Sequence, residues 1–258
     1  MALTLTEPNY GWTADKVQLP AVRKNGRYSL SGTKMFAPWA NVADQLLVVA
    51  RTKQTDDPED GLTLFLINTN ATGVDARRLS GWLEYRWSEL TLDKVEVPRA
   101  NIIGEVNGAW PILAAAFEKA VPMLCSLEVG ICEAVFDMTV EYSRTRIQFG
   151  QPIGAFQRVA DMILEIVNRL DGARWLTYDA IWRQESGEAE AAEAASAAKA
   201  FTSEAVMIAT SWGHRLTAGT GVQVDYGLPS YSGLARSLYP YLGDPVHHKR
   251  QLAKLLQL

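Results

Sequence analysis

The sequence predicts an α+β fold: a β-barrel-like domain followed by a C-terminal antiparallel four-helix bundle. Three observations predict it. Up to about residue 104 the chain reads as short β-rich runs separated by turn signals. Beyond Gly104, apolar residues recur at helical spacing over long stretches. The breaks between those stretches are short and carry Gly or Pro, which favours antiparallel neighbours in a bundle. The expected division is 1–104 for the β domain and 105–258 for the helices.

In the first part, strands are expected at residues 2–6, 17–23, 28–35, 45–51, 62–68 and 87–97. Lys24-Asn25-Gly26-Arg27 reads as a hairpin turn, because Asn-Gly accepts positive φ at little cost. The acidic run at 56–61 is a solvated connection. In the second part, Leu113, Ala116, Phe117, Ala120, Leu124, Leu127, Ile131, Val135 and Met138 form the stripe of one helix over about 107–145. Phe149-Gly150-Gln151-Pro152 stops it. A second helix is expected over about 157–185, broken by Ser186-Gly187. The third, about 188–216, is alanine-rich, and Glu188, Glu190 and Glu193 suit the positive end of its dipole. Gly219-Thr220-Gly221 ends it, and shorter helices follow at 232–241 and 245–256.

Composition narrows the function. The 258 residues are 48% hydrophobic and 21% charged, an ordinary globular mixture, and the net charge of −4 argues against a nucleic-acid partner. No apolar run approaches the roughly 20 residues that cross a bilayer. The start of the chain lacks the basic opening of a signal peptide, so the expected setting is cytoplasmic, without a membrane partner. Cys125 and Cys132 are seven apart on one helix face, about 10 Å from each other, which suits reduced core thiols rather than a disulfide. His214, His247 and His248 have no ligand spacing, so no metal site is expected. Glu128 and Glu133 are expected on solvated helix faces.

Several short motifs recur in a fixed order. They are Thr6-Glu7-Pro8, Tyr28-x-Leu-x-Gly-Thr-Lys34, Val95-x-Val97-Pro98 with Gly104-x-x-x-Gly108, Arg146-x-x-Phe149-Gly150 with Gln157, and Gly219-x-Gly221. In this order and spacing the chain resembles the middle and C-terminal domains of the acyl-CoA dehydrogenases. The family's N-terminal helical domain has no counterpart in this sequence.

The resemblance implies FAD, bound between subunits of an oligomer. It places Leu5, Thr6, Phe36, Pro38, Arg146, Phe149, Gln157, Arg215, Gly219 and Asp244 at cofactor-binding positions. Thr6 stands where a threonine hydrogen-bonds the flavin ring, and Phe36 where an aromatic residue, usually Trp, covers it. Arg146 stands where an arginine reaches the FAD diphosphate of a neighbouring subunit, a task that suits the guanidinium fork. Pro38 replaces a hydroxyl near flavin N5. On the substrate side, Trp12 replaces a serine that helps hold the CoA end, and Val121 replaces an arginine.

The family's reaction is α,β-dehydrogenation of an acyl-CoA thioester, in which a carboxylate removes the α-proton. Here Leu242 occupies the usual place of that base, in Tyr241-Leu242-Gly243-Asp244, and Ala120 occupies the alternative place on the first bundle helix. Asp244 is the nearest substitute carboxylate, and its position before Pro245 also suits a helix cap. Glu118, two residues before Ala120, faces away by about 200°. Three functions remain open: a subunit of a homo- or hetero-oligomer whose base lies on another dehydrogenase-like chain, an active enzyme using Asp244, or a non-catalytic scaffold that no longer binds FAD.

Overall fold

The computed structural model describes residues 1–80 and 87–258. Among the described residues the first part of the chain forms eight strands: β1 (Ala2–Thr4), β2 (Ala21–Lys24), β3 (Arg27–Pro38), β4 (Gln45–Arg51), β5 (Leu62–Asn68), β6 (Val74–Arg78), β7 (Trp87–Pro98) and β8 (Ile102–Ile103). They build two four-stranded sheets, ordered β1-β4-β5-β8 and β2-β3-β7-β6. Among the described strands only β1 and β4 pair in parallel. Leu46, Val48 and Phe65 of the first sheet share one apolar core with Leu30, Leu90 and Leu92 of the second.

The expected barrel does not close. The sheets meet mainly through side chains; among the described residues an isolated bridge between Pro20 and Arg51 and the bond from the Met35 amide to the Thr6 carbonyl link their backbones. The physical reason is that residues 17–19, expected in a strand, form no ladder with a neighbouring strand. The amides of Gln18 and Leu19 donate instead to the carboxylate of Glu7, and the Leu19 carbonyl accepts from the Arg51 amide. β6 was not expected, because an edge strand carrying Asp75, Arg77 and Arg78 has the composition of a loop. The hairpin from β2 to β3 forms at Asn25 and Gly26, with φ of 51° and 77°, the mirror-image turn whose twist suits two strands.

The helices are α1 (Ala109–Thr145), α2 (Gln157–Ser186), α3 (Ala191–Thr217), α4 (Leu228–Leu238) and α5 (Pro245–Leu255). The fourth helical position of the expected bundle is thus divided between two short helices. Gly227, in the left-handed region at φ 87°, starts α4 four residues before its expected beginning. The segment 239–244 then interrupts the path to α5. A small hairpin, β9 (Ile147–Gln148) with β10 (Gln151–Pro152), joins α1 to α2. Gly187, at φ 69°, ends α2.

By contacts the chain forms two compact units, Met1–Ala116 and Phe117–Leu258. The first turns of α1 belong to the β unit. In the second unit α3 packs against α2, α4 and α5. Its buried face is built largely of Ala, Ser and Thr, which let neighbouring helices approach closely.

Candidate functional site

The expected site residues fall in both units, and each set has its own geometry. In the β unit, Leu5 and Thr6 follow β1 in an extended segment beside β3. The Met35 amide donates to the Thr6 carbonyl at 2.8 Å, which fixes the height of the two segments. Thr6 is buried, and among the described residues its hydroxyl makes no hydrogen bond. The register between β3 and β7 slips between Lys34 and Ala37, and this bulge re-aims Phe36.

Phe36, Tyr10 and Trp39 all hold positive φ, at 52°, 56° and 60°. A non-glycine residue in this region costs roughly 1 to 3 kcal/mol, and such residues gather at binding sites. The Tyr10 and Phe36 rings meet edge to face at 5.6 Å, and Phe36 meets Trp87 at 6.5 Å. Tyr10 and Phe36 are each more than a third exposed, so their cluster forms a surface as well as a core; Trp39 is exposed too. Pro38 ends β3 opposite Trp87. Trp12 is half-buried in the loop that precedes Ala14.

Beneath this surface lies a buried ion pair that the sequence reading did not single out. Lys34 is fully buried and donates to Glu7 Oε1 at 2.7 Å and to the Leu5 carbonyl at 3.0 Å. The same carboxylate accepts the Gln18 and Leu19 amides at 2.9–3.1 Å. Burial pushes the Lys34 ammonium down to about 8, against the opposing pull of Glu7. Lys34 therefore holds the Leu5–Thr6 backbone and the Glu7 loop to the strand that carries Phe36. A lysine among alternating apolar positions of a strand was the available signal.

In the helical unit, Arg146 follows α1 at the start of the hairpin to α2. It is exposed, and among the described residues it forms no ion pair. Phe149, at the hairpin tip, is 93% exposed with φ 52°, and its ring meets Phe156 at 6.0 Å. The Gln157 amide donates to Asp161 at 2.9 Å. Arg215 lies over the Trp212 ring at 4.9 Å. Gly219 has space for a side chain, whereas a Cβ on Gly221 would lie 2.0 Å from Thr217 Oγ1, so Gly221 is the glycine this turn requires.

Neither of the two positions expected for a base, Leu242 and Ala120, carries an acid. Ala120 is half-buried on α1 beside the buried Val121, and Glu118 is exposed. Leu242 is 8% exposed with φ 58°. Asp244 caps α5, accepting the His247 amide at 2.7 Å, so its carboxylate is committed to the helix start.

Glu128 does not lie on a solvated face. It is fully buried, accepts from Lys199 Nζ at 2.9 Å and from the Ser203 hydroxyl at 2.9 and 3.0 Å, and burial raises its pKa. The signal was present: Cys125, Glu128 and Cys132 share one helix face, as do Lys199, Thr202, Ser203 and Val206. Both cysteines are free and buried, with thiols pushed up to about 12 by burial first and by Glu128 second. Glu133 is exposed and pairs with Arg174 at 3.1 Å. Among the described residues no group of His, Cys, Asp or Glu could hold a metal, and no helix is long and apolar enough to cross a membrane.

Residues 2–95 match the acyl-CoA dehydrogenase middle domain, and residues 107–256 the acyl-CoA dehydrogenase C-terminal domain. A cyclohexane-1-carbonyl-CoA dehydrogenase of Geobacter metallireducens is 32% identical over 228 residues, which cover 87% of this chain and 59% of that protein. The chain thus spans about three-fifths of the length of this relative. The solved structure of butyryl-CoA dehydrogenase from Megasphaera elsdenii superposes with a TM-score of 0.91 at 26% identity, over 100% of this chain and 68% of that one. PigA, solved with FAD and proline, superposes with a TM-score of 0.93 at 26% identity, over 100% of this chain and 67% of that one. With both domains matched in order and the fold shared throughout, the chain belongs to the acyl-CoA dehydrogenase family.

Proposed function

We propose that this chain binds FAD and serves in α,β-dehydrogenation of an acyl-CoA thioester as a subunit that lacks its own base, within an oligomer where another dehydrogenase-like chain carries the carboxylate. The observation that carries this reading is the contrast at Leu242. An aliphatic side chain, buried and held at positive φ, stands at the family's base position, while the groups suited to FAD are retained.

Those groups fit the cofactor. The free hydroxyl of Thr6 can hydrogen-bond a flavin ring edge, and the Phe36 cluster offers an aromatic surface that a planar ring can cover. Arg146 is an unpaired cation suited to a diphosphate, and Phe149 is an exposed ring suited to an adenine. FAD, when bound, supplies an acceptor for the hydride from the substrate's β-carbon. Removal of the α-proton needs a base, and neither Leu242 nor Ala120 can accept it. Trp12 in place of the family's serine gives the CoA end of the substrate a bulky neighbour.

The test is incubation of the purified protein with excess FAD, desalting, and a visible absorption spectrum. A retained flavin band, lost in Arg146→Ala, is expected. The flavin should then stay oxidised on adding acyl-CoA to this chain alone and bleach when a Glu-bearing dehydrogenase chain is co-expressed. A colourless wild-type protein overturns the cofactor assignment in favour of a scaffold. Turnover by the chain alone overturns the division of labour.

A further inference from the structure

The segment 239–244, between α4 and α5, is held more firmly than a surface connection needs. At its start the Leu238 carbonyl accepts Lys199 Nζ at 2.9 Å. Lys199 is fully buried and also donates to Glu128 and, at 2.6 Å, to Ser203, so all three ammonium protons are used. In the middle, the Leu242 carbonyl lies 2.9 Å from Nε2 of His248, which is 5% exposed. At the end, Asp244 caps α5. Between these anchors Leu242 and Gly243 take φ of 58° and 104°. A Cβ on Gly243 would lie 2.9 Å from His248 Nε2 and 2.4 Å from His247 Cδ2, so the two imidazoles pack directly on the turn.

We propose that His248 and the buried Glu128–Lys199–Ser203 network are positioning residues for residue 242, a clamp that imposes the left-handed turn on which its side chain is presented. Leucine has no preference for that conformation, whereas Gly and, less often, Asn adopt it readily. The conformation is therefore imposed by the anchors on either side and not by the residue itself. Carbonyl acceptance fixes the His248 tautomer, with the proton on Nε2. Its Nδ1 is then a buried acceptor that finds no partner among the described residues, an arrangement that persists only if the Leu242 bond and the packing offset it. The clamp outlasts the reactive group. It holds a place where a Leu242→Glu substitution returns a carboxylate to an already ordered turn. This last point rests on the proposed reading of position 242, but the clamp itself does not.

The test is hydrogen–deuterium exchange on the full chain, followed by mass spectrometry. His248→Ala should speed exchange in peptides covering 239–244 by at least tenfold while α2 peptides keep the wild-type rate. His248→Gln, which restores an N–H donor, should recover most of the protection. Leu242→Gly, which accepts the turn without strain, should shrink the His248→Ala effect, a coupling that a merely space-filling histidine would not show. Unchanged exchange at 239–244 in His248→Ala overturns the clamp, as does loosening that spreads equally through α2 and α3. Exchange is read without cofactor or substrate, so a failure of the proposed function leaves this outcome readable.

Discussion

Among the described residues each unit buries one lysine–carboxylate pair, and the two pairs are satisfied by different means. In the β unit, Glu7 takes two backbone amides from residues 18 and 19, which form no strand pairing of their own. In the helical unit, Glu128 has no such donors nearby, because amides inside a helix are already used. Its second partner is a side chain, Ser203, and Lys199 finds its backbone acceptor only at the last turn of α4, at Leu238. Irregular chain next to strands offers main-chain donors, whereas a bundle interior must import polar side chains or borrow a helix end. The β pair therefore fixes the Leu5–Thr6 segment, and the helical pair fixes the loop at position 242.

The largest effect expected from this comparison is that of Lys199→Met. It strands Glu128 with Ser203 alone and should destabilise the helical unit by about 3 to 5 kcal/mol in chemical denaturation. Lys199→Met with Glu128→Leu should recover much of that loss. Lys34→Met should cost less, about 2 kcal/mol, because Glu7 keeps its two amides. Equal costs for the two lysines would break the contrast.

Proton linkage sharpens it, since the two pairs should give opposite slopes. Burial lowers Lys34 from 10.5 to about 8 in the folded state, so the unfolded chain holds more protons between those values. Stability of the β unit should therefore rise with pH across that window, and Lys34→Met should flatten the rise. Glu128 has a raised folded pKa, so above 4.5 the folded state holds more protons than the unfolded one. Stability of the helical unit should fall as pH rises through the Glu128 titration, and Glu128→Gln should remove that fall. Exchange rates measured separately for peptides of each unit check both signs.

His248 adds an acid-side contribution. Burial lowers it from 6.5 to about 4, with the Leu242 carbonyl opposing. Between these values the unfolded chain holds the extra proton, so stability is lost as pH falls from 6.5 to 4, by up to roughly 3 kcal/mol. His248→Gln should lose less over the same range. The smallest pair of effects lies at the turn after α3. Gly221→Ala should cost about 1 to 3 kcal/mol by overpacking against Thr217, whereas Gly219→Ala should stay within about 0.5 kcal/mol.

Particular elements show what could be read in advance. Strands β4 and β5 lie where their apolar runs place them, and the Asn25-Gly26 turn follows from two residues that tolerate positive φ. The long helices were legible because an apolar stripe repeated over ten turns has no competing reading. Asp244 was legible as a cap because Pro245 marks the first helical position. By contrast, β6 and the non-strand segment 17–19 depend on which strand lies alongside, and composition does not encode that choice. Glu128 shows the same limit at the level of one residue. A glutamate on a helix is usually solvated, and its burial depends on Lys199, 71 residues away.

The sequence by itself determined the order of β and helical parts, the helix limits within a few residues, the motifs of the family, and the absence of a carboxylate at Leu242 and Ala120. These are properties of residue identity and local periodicity. The tertiary structure alone decided that the sheets stay separate, that Phe36, Tyr10 and Trp39 take strained backbones, that the Tyr10, Phe36 and Trp87 rings cluster, and that two buried lysines and His248 hold the segments around them. The reason is physical: burial and hydrogen-bond satisfaction are set by partners distant in the chain, so they exist only once the chain has folded.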